Sequence, residues 1–245
     1  MRHTLVLLVA ALLIACMPAS ARGSAASDNV DAVCRSAMAP YYAALLASAR
    51  GDADGTLRHV LLLKSRWDEV TRRPGPDLPM WLRDTATGRP VGTAVAAKID
   101  SARQRLPRDV SGAHSDLEAI RALLRDARTR HGARTADDAV TDYHQAMERL
   151  SSHIGVSNEV ALTTNDFTAI REDVERAQST WRDVESFAEL AKTVAGWNDV
   201  AAATSSVLGT IAKAADRRDA TSAQQASQTL KNRYFDLLSI LSHRQ

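Results

Sequence analysis

Two pairs of side chains have the types and spacing to do chemistry: His114-x-x-x-Glu118 and His144-x-x-x-Glu148. Imidazole and carboxylate are ordinary ligands for zinc and other transition metals, and a spacing of four places them on neighbouring turns of one helix. If the two helices pack as a hairpin, the four groups make a ligand set inside a bundle that could take a transition metal, although no cofactor is firmly implied. Two features oppose this. Neither pair is the Glu-x-x-His motif of helical di-metal sites, and no His-Glu-x-x-His occurs. At about 100° per residue, Ala113, Leu117, Ile120 and Leu124 form the apolar stripe of the first helix, and His114 and Glu118 flank it. The stripe of the second helix is Tyr143, Met147, Leu150 and Ile154, again with the pair to one side. The competing expectation is that Glu118 pairs with Arg121 while the other three side chains are solvated.

Other chemistry has less support. His114, Ser115 and Asp116 are consecutive on a helix and point in different directions, so they are no triad. A Gly-rich phosphate loop and a Cys-x-x-Cys-His haem motif are absent from the sequence. With no assembled nucleophile or base, the chain is expected to bind rather than to catalyse. A second candidate contact is Met80, Trp81 and Leu82, in a stretch from 73 to 92 that holds Pro74, Pro76, Pro79 and Pro90. These three residues are read as an apolar peg packing back onto the domain, with a partner-binding loop as the sharper alternative.

The elements that carry these groups read as helices. The chain is rich in Ala, Leu, Arg, Asp and Glu, aromatic residues are 4%, and no alternating strand pattern appears. Predicted helices run over about 30–49 (with a weak point at Pro40), 56–71, 93–105, 111–130, 135–153, 166–188, 190–215 (with a break near Gly209) and 221–242. Asp and Gly mark the turn at 51–55, Thr135-x-x-Asp138 is a capping-box signal, and 155–165 is a loop. The fold class is all-α, antiparallel hairpins forming a helix bundle. Trp67-x-Glu69-Val70 and Trp181-x-Asp183-Val184 share a pattern that suggests two duplicated four-helix halves, 30–131 (with the Pro-rich insert 73–92) and 135–243. The plainer reading of these Trp residues is as core anchors. The net charge of +2, with both signs interspersed, argues against a nucleic-acid partner.

The first residues carry an address. Arg2 precedes an apolar run from Thr4 to Ala15, shorter than the roughly 20 residues a membrane-spanning helix needs. The run ends in Leu13-Ile14-Ala15-Cys16, which resembles the lipobox of bacterial lipoproteins. That resemblance implies removal of 1–15, acylation of Cys16, a tether over 16–29 and anchoring through lipid. Met17 stands where an inner-membrane retention signal would have Asp, so the expected location is the outer membrane, facing the periplasm. Its partner would be an unidentified envelope protein. Plain secretion after Ala19-Ser20-Ala21 is the second expectation. Either way Cys34 has no partner for a disulfide in the mature chain, and packing must hold the fold.

Overall fold

The computed structural model describes residues 20–86, 88–155 and 163–244. Cys16 and the lipobox lie outside them. Ten helices occur among the described residues: α1 (Ser20–Ala49), α2 (Ala53–Thr71), α3 (Met80–Arg83), α4 (Val91–Arg105), α5 (Val110–Arg130), α6 (Ala136–Gly155), α7 (Thr164–Glu185), α8 (Ala188–Thr193), α9 (Trp197–Arg217) and α10 (Ala220–Ser242). The fold is all-α, as the composition indicates.

The long helices close into two rings. In the first, α1 packs on α2, α2 on α4, α4 on α5, and α5 returns to α1. In the second, α6 packs on α7, α7 on α9, α9 on α10, and α10 returns to α6. The rings meet where α1 touches α10 and α5 touches α6. One hydrophobic cluster runs through both, from Cys34 on α1 to Leu241 on α10. Trp67 and Trp181, each on the second helix of its ring, are buried anchors. The Trp67 indole N–H donates to Gly92 O (2.9 Å) and that of Trp181 to Ser205 Oγ (2.9 Å), so burial leaves neither donor unpaired.

Local signals set the helix ends. Asp52, Asp109 and Asp219 each accept from a backbone N–H three residues on, capping α2, α5 and α10. At α6 the capping box is reciprocal: Thr135 N–H donates to Asp138 Oδ2 (2.9 Å), and Asp138 N–H reaches Thr135 Oγ1 (3.4 Å).

Several expectations need correction. Helix α1 begins at Ser20, so residues 20–29, expected within the tether, are helical here, and the helix passes through Pro40 without a break. The predicted helix 190–215 is two helices, parted at 194–196 and not at Gly209. Gly196 takes φ +79°, a left-handed conformation that ends the run, whereas Gly209 sits in α9 with open space around it. The Pro-rich stretch folds into a 3-10 turn (Gly75–Asp77), α3 and a two-residue antiparallel hairpin pairing Thr85 with Pro90. Within it Trp81 and Leu82 are buried and the Arg128 guanidinium lies 4.9 Å from the Trp81 ring centroid, while Met80 alone is exposed, at 64%. Trp81 and Leu82 thus pack onto the bundle as the apolar peg reading has it, and of the three residues named for partner contact Met80 is the exposed one.

Candidate functional site

Helices α5 and α6 run antiparallel along the seam between the rings. At one level Arg128 Nη1 donates to Asp138 Oδ1 (2.7 Å); at the next His144 Nδ1 lies 3.7 Å from Glu118 Oε2. Helix α10 joins them, Tyr234 stacking on His144 with centroids 4.6 Å apart and planes at 29°. Together with the end of α1 these helices enclose a pocket of about 560 Å³. All four residues singled out in the sequence, His114, Glu118, His144 and Glu148, line it. Its apolar wall is Val110, Met147, Phe235 and Leu238, and its mouth is marked by Glu148 (48% exposed) and the exposed Ala49, Gly51 and Ser111.

Behind the polar wall stands Arg121, 6% exposed. Its guanidinium is paired with Glu118 Oε1 and donates from Nη1 to the Tyr234 hydroxyl (2.6 Å). Burial works against its charge, but Tyr234, Tyr41 and Glu118 together hold its pKa above the ordinary value, so it is a fixed cation. Burial raises Tyr234 to about 12.

Ser48 fixes the other histidine. Its hydroxyl has one hydrogen and two close neighbours: Leu45 O at 2.9 Å, which only accepts, and His114 Nδ1 at 2.8 Å. Both contacts are hydrogen bonds only if Ser48 donates to Leu45 O and His114 Nδ1–H donates to Ser48 Oγ. Nε2 is then bare, and it faces Glu118 Oε1 at 3.5 Å, acceptor to acceptor. A long-range ¹H–¹⁵N spectrum is expected to show His114 protonated at Nδ1, with Ser48→Ala relaxing that preference. A protonated Nε2 in the parent protein would contradict the assignment.

Both imidazoles are held neutral. Burial, then the nearby Arg121 charge, pushes His144 down to about 2 and lowers His114, the latter partly offset by Glu148. Burial raises Glu118, with Arg121 opposing. The outcome is a set of groups that approach one another without hydrogen bonding: His114 Nε2 lies 3.5 Å from Glu118 Oε1, His144 Nδ1 3.7 Å from Glu118 Oε2 and His144 Nε2 3.8 Å from Glu148 Oε1.

The four residues come together, but not as a ligand cage. Among the described residues no group of three or more His, Cys, Asp or Glu is disposed to hold a metal ion. The physical obstacle is Arg121, whose fixed charge already occupies Glu118. Of the three residues expected to be solvated, Glu148 is exposed and His114 partly so, and the expectation needs correction for His144, most of which the seam buries. Ser48, His114 and Glu118 place hydroxyl, imidazole and carboxylate in order. However, the Ser48 proton is directed to Leu45 O and Glu118 is engaged by Arg121, so no activated nucleophile results.

Sequence reasoning missed Ser48, Tyr234, Phe235 and Leu238, whose approach is a matter of tertiary packing. It named Arg121 only as a partner of Glu118. A signal for its burial existed: on the helical wheel Arg121 lies about 40° from Leu117, at the edge of the apolar stripe. No family model, no curated protein and no solved structure matches the chain.

Proposed function

We propose that this chain is an exported, lipid-tethered helical binding protein that takes a small organic molecule into the seam pocket. The observation that carries the binding reading is the pocket. Its volume of about 560 Å³ falls in the range of small-molecule sites, roughly 300–1,000 Å³, and it pairs an apolar wall with a few convergent polar groups. The export and tethering rest on Met1 to Cys16 alone. No helix among the described residues is long and apolar enough to cross a membrane.

The test of binding is a thermal-shift survey of uncharged and charged small organic compounds against the chain from Met17 onward, which keeps every residue of the described core. A ligand at 100 times its Kd adds about 2.7 kcal/mol, a shift of several degrees. Val110→Trp, filling the pocket from α5, is expected to abolish the shift. A response equal in both proteins would place binding elsewhere. For the anchor, Cys16→Ser is expected to end incorporation of labelled fatty acid.

A second reading uses the same groups as a transition-metal site, favoured by the bare Nε2 of His114 beside Glu118. Elemental analysis of protein purified without chelator, beside the His114→Ala/His144→Ala variant, separates the two. Near-stoichiometric metal lost in the variant would replace the organic-ligand reading.

A further inference from the structure

We propose that the molecule this pocket takes is uncharged at its buried end and presents a hydroxyl hydrogen there. That hydrogen points at His114 Nε2, beside the Glu118 carboxylate, and a phenol-sized apolar body lies along Val110 and Phe235. The inference rests on the small-molecule reading above and adds the chemical class.

The first ground is hydrogen bonding. Ser48 takes the Nδ1 hydrogen of His114, so that ring shows the pocket a lone pair. Glu118 gives one oxygen to Arg121 and keeps the other. His144, neutral, makes no hydrogen bond to Glu118 or Glu148, at 3.7 and 3.8 Å, and carries one bare nitrogen. The buried end therefore offers bare acceptors at His114 Nε2 and Glu118 Oε2 beside the Tyr234 hydroxyl and the one N–H of His144, and a ligand hydroxyl, which both donates and accepts, complements the set.

The second ground is charge. Arg121 is immovable, buried and bonded on two sides, and its positive charge lies directly behind Glu118. An ammonium or a divalent metal entering beside it meets the same field and the same desolvation that deny a proton to His144 and weaken one on His114. An anion is drawn to Lys231, which also lines the pocket, but at the buried end it meets the Glu118 carboxylate and the lone pairs. A neutral O–H donor meets neither penalty. The third ground is shape: the partly buried Val110 and Phe235 give the pocket its apolar surface over the fully buried Met147 and Leu238, so the remainder of the ligand is hydrocarbon.

The experiment is isothermal calorimetry of the chain from Met17 with four probes: para-butylphenol, its methyl ether, para-butylbenzylamine and zinc ion. The phenol is expected to bind and the ether to bind about tenfold more weakly, the loss typical of one hydrogen bond. The amine and zinc are expected to give no binding. His114→Ala, at a partly exposed position, is expected to weaken the phenol more than the ether and so close the gap between them. Thermal unfolding of the variant checks that it folds. Equal affinity for phenol and ether would overturn the donor assignment while leaving a small-molecule pocket in place. Tighter binding of the amine or zinc would overturn the charge argument. No binding by any of the four would overturn both the inference and the pocket reading on which it rests.

Discussion

Arg121→Met is expected to cost about 3–5 kcal/mol, because removing one partner of a buried ion pair leaves the other without its counter-charge. Glu118 is 27% exposed at its side chain, so partial hydration places the loss toward the lower end. The Tyr234 hydroxyl loses its donor as well. In a chain of this size the loss lowers Tm by about 10 °C. Urea unfolding of three proteins checks it: the parent, Arg121→Met, and Arg121→Met with Glu118→Leu. The double variant is expected to recover most of the loss, since an apolar pair of similar volume removes the orphaned carboxylate. Exposed pairs such as Arg66–Glu69 set the contrast, at roughly 0–1 kcal/mol. A cost below about 1 kcal/mol for Arg121→Met would mean that the pair is hydrated and the seam open.

The second large effect is acid sensitivity. His144 titrates near 6.5 when unfolded and is pushed down to about 2 in the fold by burial and by Arg121. Between those values the unfolded chain binds a proton that the folded chain does not. Stability is therefore full above about pH 6.5 and falls as pH drops toward the folded value. By pH 5 this one group removes about 2 kcal/mol. His114, also lowered by burial, acts with the same sign in the same window. Glu118, raised by burial, has the opposite sign: its contribution is present below its unfolded value and lost as pH rises through its folded one. The lowered Asp84, Asp109, Asp166 and Asp219 lose their contributions only as pH falls through values below 3.8. Unfolding free energies at pH 7.5 and pH 5 are expected to differ by about 2 kcal/mol or more. In His144→Phe, which keeps the ring stack on Tyr234, most of that difference is expected to vanish. A parent protein equally stable at both values would sink the assignment of a buried neutral His144.

What could be read from the chain divides by the range of the forces. The start of α6 was legible because its cap is local: Thr135 and Asp138 bond to each other's backbone N–H within three residues. The place of Trp67 and Trp181 in the core followed from side-chain type and helical phase. The break at Gly196 was harder. Gly196 and Gly209 look alike in sequence, and only the left-handed turn required to redirect α8 into α9 distinguishes them. Pro40 did not interrupt α1, since a helix packed along much of its length absorbs one missing N–H. At the site, His114, Glu118, His144 and Glu148 were found by spacing, yet their character was not. Whether they hold a metal or a hydrogen-bond donor turns on Arg121 behind them and Ser48 beside them. The burial of the first and the contact of the second depend on how α1, α6 and α10 approach α5.

The pocket on the seam makes the rings interdependent. Ser48, Val110, His114 and Glu118 belong to one ring, and His144, Met147, Tyr234 and Phe235 to the other, so neither holds a complete cavity. Any occupant is gripped from both sides and is released when they part. Its affinity is then a measure of how tightly the two rings adhere, and by reciprocity its presence is an adhesive between them. Force applied across the chain would meet greater resistance at this joint when the cavity is filled, a mechanical readout of chemical occupancy.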